Sequence, residues 1–229
     1  MGAFRSADNL RLGEDGAERI RGVLDPISVS SLMDLLSRQR AERAGVRLFG
    51  IDGLDAFVGA QGVIGRLAAS IMGDNATPVR AVLFDKTPAT NWSLAWHQDR
   101  VVAVRERVEV DGFGPWSRKH GALHVGPPFQ VLAEMKTLRV HLDPVPTTNA
   151  PLLVAPGSHR MGRIPERDVS ARVAQCGVVS CLADRGDIWA YATPVLHASE
   201  RATAPGRRRV LQVDYAIGDL PGGLRWLGV

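Results

Sequence analysis

Lysine is nearly missing from this chain, occurring only at positions 86, 119 and 136. The positive excess (net charge +4, pI about 9.6) is therefore almost all arginine. A basic balance serves nucleic acids or acidic small molecules. No Lys/Arg block alternates with stacking aromatics, which leaves a nucleic-acid module resting on pI alone. Cysteine is equally scarce, with only Cys176 and Cys181. Two thiols permit a disulfide but do not require one, and they suit a reducing, cytoplasmic setting. No apolar run approaches the roughly 20 residues of a membrane span, and no apolar signal core opens the chain. Met1-Gly2 with Ser6 fits the N-myristoylation pattern, which is short and frequent by chance. Internal repeats and dividing linkers are also missing. With 229 residues, 45% of them hydrophobic, the chain is expected to form one domain, 1–229, around a sizeable core.

Residues 1–24 are polar and rich in Gly and Arg, and read as a loose arm with some local helix. Asp25-Pro26 marks a helix start, with a capping acceptor and Pro in the first turn. The stripe Leu32, Met33, Leu35, Leu36 carries that helix to about Arg43. Val46–Phe49 reads as a short strand and 54–72 as a second helix. Gly59, Gly62 and Gly65 weaken the second helix unless they permit close packing on a sheet. Residues 1–75 are thus mostly helical. From Pro78 the pattern turns to β: strands are expected at Val79–Phe84, His97–Val104, Thr137–Leu142, Leu152–Ala155, Val178–Leu182, Ile188–Tyr191, Val195–His197 and Arg208–Ile217, with a helix at 166–175. Many short strands between Gly/Pro/Asn turns indicate a sandwich or barrel, here over 78–217.

Trp96-His97-Gln98-Asp99 carries the chemistry. Alternating side chains on an extended strand put His97 and Asp99 on one face and Gln98 on the other. An imidazole and a carboxylate one step apart can hold adjacent positions on one metal ion. The best third ligand is His197, in Pro194-Val195-Leu196-His197-Ala198-Ser199. Two His and one carboxylate leave the opposite face of an octahedral ion open, the ligand set of non-haem Fe(II) oxygenases. A His-x-Asp alone is weak, because a water-facing loop carries the same tripeptide by chance.

Further motifs follow in order: Asn149-Ala150-Pro151-Leu152, Ala155-Pro156-Gly157-Ser158-His159, Gly186-Asp187, His197-Ala198-Ser199 and Arg207-Arg208-Arg209-Val210. From about Val79 to Ile217 this order resembles the phytanoyl-CoA dioxygenase-like family of Fe(II)- and 2-oxoglutarate-dependent oxygenases. The family usually has Gly where Ala150 stands, and many members have a much shorter segment between Asp99 and Thr137. The resemblance implies a mainly β, double-stranded β-helix (jelly roll, cupin-like) with the N-terminal helices packed on one sheet. It implies iron on His97, Asp99 and His197, with 2-oxoglutarate and O2 as co-substrates. The far carboxylate of 2-oxoglutarate then meets Arg208 and Ser199. A guanidinium grips a carboxylate through two parallel hydrogen bonds, which Lys cannot do. Asp99 also separates the chain from related halogenases, which leave room for chloride with a small residue there.

Other positions are open to two readings. Arg208 anchors the co-substrate, or Arg207–Arg209 is a solvated charge run. Arg139 shares a polar strand face with Thr137, His141 and Asp143, which either lines a site or faces water. Lys86 reads as a turn lysine in water before it reads as a ligand contact. The insert 100–135 is a lid whose Trp116, Arg118 and Lys119 touch substrate, or it is a solvated flap or dimer contact. Its His120 and His124 are weaker candidates, and His159 reads as a turn residue. Trp96 and Trp189 wall the cavity or belong to the core. The expected function is hydroxylation of a small molecule, with an anionic one among the candidates, releasing succinate and CO2. The alternatives are a non-catalytic jelly-roll binding protein and a triad metalloenzyme that does not use 2-oxoglutarate. No nucleic-acid or membrane partner is expected, and the chain is expected to be a monomer or homodimer.

Overall fold

The computed structural model describes residues 7–39, 45–119 and 121–229. The Met1-Gly2 pattern, Arg43 and His120 lie outside the described residues; the first helix, expected to run to about Arg43, already ends at Leu36. The described chain runs through α1 (Leu12–Asp15), β1 (Ala17–Ile20), α2 (Pro26–Leu36), β2 (Val46–Leu48), α3 (Asp55–Val58) and α4 (Val63–Met72). It continues through β3 (Ala76–Lys86), β4 (Leu94–His97), β5 (Val102–Val104), β6 (Trp116–Lys119), β7 (Ala122–Val125), α5 (Phe129–Glu134) and β8 (Lys136–His141). The last elements are β9 (Leu152–Val154), α6 (Val169–Cys176), β10 (Val179–Cys181), β11 (Ile188–Ala192), β12 (His197–Ser199) and β13 (Arg208–Ile217).

Two antiparallel sheets make the jelly roll. The larger has the order β1-β11-β8-β13-β3-β2, the smaller β10-β9-β12-β4. Period-2 alternation decides what each face of the larger sheet does. Leu211, Val213 and Tyr215 of β13, with Leu138 and Val140 of β8, meet Val29, Leu32 and Leu36 of α2 and Ile64 of α4 in the main core. Full burial of such side chains contributes about 1.5–3 kcal/mol each. The intervening residues of the same strands, Arg208, Gln212 and Asp214 with Thr137, Arg139 and His141, face the interior and are buried. Between the sheets, Trp189 and Tyr191 pack with Leu152, Val154, Val179 and Cys181.

Several expectations need correction. The N-terminal arm is not loose over its described part, because β1 forms an edge of the larger sheet along β11. Arg19 supplies the reason: it donates to Asp187 and Asp184, and Asp187 also accepts the Gly22 amide. Gly186-Asp187 is thus a structural tie. The helix expected over 54–72 is two helices, α3 and α4. A Cβ on Gly65 would lie 1.9 Å from the Gly59 carbonyl oxygen, so these glycines let the two helices meet each other, not a sheet. α2 starts where expected, with Asp25 accepting from the Ser28 amide at 2.7 Å. The strand expected over His97–Val104 stops at His97 and resumes at Val102 in another sheet. β12 begins at His197 rather than Val195.

The insert 100–135 is not an irregular loop. It contains α5 and a three-stranded sheet in the order β5-β7-β6. Val102, Val104, Val125, Leu123 and Trp116 lie together against Leu132, Leu220 and Leu224. Among the described residues no helix is long and apolar enough to cross a membrane.

Candidate metal centre

His97 ends β4 and His197 begins β12, and the two are register partners. Their ring centroids lie 4.3 Å apart. Asp99 arrives from the irregular chain just after β4, and ligand atoms of His97, Asp99 and His197 all lie within 4.8 Å of one another. The exit from the strand is enforced by Gln98, which is buried on the opposite side. Its amide donates to the carbonyls of Gly162 (3.0 Å) and Pro194 (2.9 Å), and its oxygen accepts from the Ile164 amide at 2.9 Å. Ser158 sets the other ligand: its hydroxyl donates to the Ala155 carbonyl and accepts from the Leu196 amide, one residue before His197.

Both imidazoles are prepared in the same way. Nδ1 of His97 donates to the Ala95 carbonyl at 2.8 Å, and Nδ1 of His197 to the Val195 carbonyl at 2.9 Å. A carbonyl oxygen only accepts, so the proton sits on Nδ1 and the Nε2 lone pair is free. Burial, then the neighbouring His97, pushes His197 down to about 4. It is neutral at physiological pH, as a metal ligand must be. Asp99 is held below the ordinary carboxylate value: burial opposes this, but the Arg80 guanidinium beside it outweighs it. Arg80 donates to both Asp99 and Asp214. The donor set fits a divalent transition metal with open positions.

The deeper interior is cationic. Arg208 on β13 is the register partner of Lys86 on β3, and Arg139 on β8 faces the same way. All three are buried, at 3%, 1% and 7% exposure. None has a carboxylate partner among the described residues. Arg208 donates to the carbonyl of Ala150, which also accepts from the Ser199 hydroxyl at 3.4 Å. Ala150 adopts φ 51°, a left-handed value that favours glycine, so its carbonyl can turn towards both. Arg139 donates to Gln212 at 2.9 Å, but its Nε and that of Arg208 have no partner. Burial, then Arg139, pushes Arg208 down to about 9. Both nitrogens of buried His141 also lack partners. This cradle fits an anion.

The remaining sequence candidates lie elsewhere. Trp189 is fully buried core, and its indole N–H donates to the Leu182 carbonyl. Trp96 packs on Ile164, Val169 and Leu196 near α6, on the face away from His97. Trp116 belongs to the insert's apolar cluster, and exposed Arg118 shares its strand face. Lys119 projects on the opposite face, which also carries His124. Lys86 is no water-facing turn residue: it is buried, with Nζ donating to the carbonyls of Trp92 (2.6 Å) and Glu200 (3.2 Å). Arg80 went unnoticed in the sequence. Only its pairing opposite Asp214 across β3 and β13 could have marked it. Arg207 and Arg209 turn outward to Asp85 and Asp143, so the three arginines are not one solvated run.

The sequence profile of the phytanoyl-CoA dioxygenase family matches residues 13–210. The chain belongs to that family. No curated protein matches it in sequence. Among solved structures, AviO1 from Streptomyces viridochromogenes Tue57 shares 20% identity, with 92% of this chain and 94% of that one covered and a TM-score of 0.65. SnoK, a non-haem α-ketoglutarate-dependent carbocyclase from nogalamycin biosynthesis, shares 17% identity over 100% and 91% of the two chains, with a TM-score of 0.67. HygX from Streptomyces hygroscopicus, solved with nickel and 2-oxoglutarate bound, shares 13% identity over 90% and 84%, with a TM-score of 0.61. At these identities the likeness speaks for the jelly-roll fold.

Proposed function

We propose that this chain hydroxylates a small molecule, with iron held by His97, Asp99 and His197 and the far carboxylate of 2-oxoglutarate held by Arg208 and Ser199. Its family makes it a 2-oxoglutarate-dependent non-haem iron oxygenase, and HygX carries 2-oxoglutarate on the same fold. The observation that carries the residue assignment is the set of three buried cations, Arg139, Arg208 and Lys86, without a carboxylate among the described residues. Leaving buried charge unpaired is costly, and a dicarboxylate reaching in from the metal answers it.

Iron and 2-oxoglutarate together supply oxidative decarboxylation to succinate and CO2, with the second oxygen atom going to a substrate C–H bond. The protein's own residues do the positioning. His97 and His197 present Nε2 lone pairs fixed by their Nδ1 hydrogen bonds. Arg80 keeps Asp99 ionised and aimed. Arg208, with Ser199 beside it, receives a carboxylate. Arg139 is aligned by Gln212, which also accepts from the Tyr191 hydroxyl at 3.2 Å. Anaerobic addition of Fe(II) and 2-oxoglutarate should give a weak visible charge-transfer band. Bound iron without that band would remove 2-oxoglutarate from the assignment.

A further inference from the structure

One pair of buried, unpartnered nitrogens remains unused by this chemistry, on Arg47 and His124. Arg47 lies on β2, opposite Val82 of β3. Its strand neighbours Val46 and Leu48 pack into the helix-side core, so Arg47 projects into the interior, on the face that carries Val82 and Arg80. There it lies in the field of Arg80, Asp99 and Asp214. Arg80 is committed to both carboxylates, whereas the Nε of Arg47 is buried with no partner.

The second group comes from the insert. On β7, Leu123 and Val125 join the apolar cluster, and His124 projects the other way, on the face of Ala103 and Ser117. His124 lies within electrostatic range of Arg47 and of Arg80, which is bonded to Asp99. His124 is fully buried. Its Nδ1 donates to the Ala122 carbonyl at 3.1 Å, the same i to i−2 bond that fixes His97 and His197, and its Nε2 has no partner. Because Nδ1 carries the proton, Nε2 is a bare acceptor. It is not among the groups that converge on the metal position.

We propose that Arg47 and His124 are the substrate-docking pair, and that the substrate is a small carboxylic acid with a hydroxyl or N–H group beside its carboxylate. The carboxylate answers the unpaired Arg47 N–H, and the neighbouring donor answers His124 Nε2. A single uncommitted guanidinium matches a monoanion better than a phosphate. Unmade hydrogen bonds at buried groups are expensive, so an amide or a deoxy acid leaves one of the two unanswered. Lys119, exposed on the His124 face, adds positive field at His124. The pairing rests on the metal assignment above only for where oxygen is delivered.

The test uses the full chain and a panel of common L-amino acids and short 2-hydroxy acids, each beside its carboxamide and, for the hydroxy acids, the deoxy acid. Binding is read as thermal shift with and without metal, and as perturbation of the anaerobic Fe(II)–2-oxoglutarate band. At least one acid should bind about tenfold or more tightly than its amide. Arg47→Gln should erase that preference while the 2-oxoglutarate concentration that half-saturates the band moves only a few-fold. Arg47→Lys should restore part of it. His124→Phe should erase discrimination between hydroxy and deoxy acids and keep that between acid and amide. Equal binding of acid and amide, equal loss of both in Arg47→Gln, or no binding by any panel member overturns the docking pair. A missing band with iron bound overturns the 2-oxoglutarate assignment instead, and the metal-free thermal shifts still judge Arg47.

Discussion

At the metal end of the interior, Arg80 stands between Asp99 and Asp214, and its charge is answered within the chain. At the other end, Arg139, Arg208 and Lys86 are buried and find carbonyls, an amide oxygen and the rings of Phe84 and Trp92, but no carboxylate among the described residues. The same β-sandwich builds both, so the difference is not a matter of space. Asp214 pairs across from Arg80, whereas Arg208 faces Lys86 on the same two strands, β13 and β3. One end is arranged to hold a carboxylate ligand in place, the other to wait for an anion from outside. A buried unpaired cation is a cost to folding, so its presence is an argument about binding rather than stability.

The largest expected effect falls at the balanced end. Asp99→Ala should abolish substrate hydroxylation and reduce bound iron, measured by metal analysis and succinate release, because two imidazoles alone do not hold the ion facially. It also leaves Arg80 with only Asp214. Undiminished turnover would place the carboxylate ligand elsewhere.

At the unbalanced end, Arg208→Gln should raise the 2-oxoglutarate requirement about tenfold or more, about 1.4 kcal/mol. Arg207→Gln and Arg209→Gln should stay within a few-fold, since Asp85 and Asp143 already take those side chains. The comparison is sharper with Arg208→Met. Without 2-oxoglutarate this variant should melt higher than the parent, by an amount on the order of 1 kcal/mol, because an unpaired buried charge has been replaced by apolar volume. With saturating 2-oxoglutarate the order should reverse. Lower stability of Arg208→Met in both conditions would make Arg208 a structural residue held by the Ala150 carbonyl.

The sequence was most legible where one strand face is apolar and the other polar. β13 runs from Arg208 to Ile217 as its alternation implies, and β8 departs by a residue at each end. It was least legible where tertiary partners override local pattern. β1 reads Ala-Glu-Arg-Ile, and its pairing with β11 and the tie of Arg19 to Asp187 and Asp184 come from far along the chain. Gln98 looked like the polar back of a strand, yet it straps three distant backbone groups and ends that strand. The two faces of the insert were also not separated by the sequence. Trp116 drew attention as a large aromatic, but its side of the small sheet is the packed one, and buried His124 lies on the other. Arg80 and Lys86 were the hardest. Arg80, Val82, Phe84 and Lys86 alternate regularly along β3, but whether that face meets water or a second sheet depends on pairing that spacing within one strand does not encode.

The smallest expected effect concerns Lys86 and tests whether the unbalanced end holds three charges or two. Burial, then Arg208, Arg139 and Arg201, pushes its pKa from 10.5 down to about 8. Between those values the unfolded chain binds more protons at this site than the folded one, so this lysine makes stability rise with pH across that window. 2-Oxoglutarate demands the opposite, because its carboxylate favours the ammonium. Its affinity should therefore weaken as pH climbs above about 8, with the midpoint moved upward by the anion itself. Melting temperatures of the parent and Lys86→Met, followed from pH 8 to pH 10.5 with and without 2-oxoglutarate, separate these effects from other titrations. Relative to Lys86→Met, the parent should gain stability with pH when alone and lose part of its 2-oxoglutarate-induced gain over the same interval. Parallel curves would mean that Lys86 carries no displaced proton and that Arg139 and Arg208 receive the anion without it.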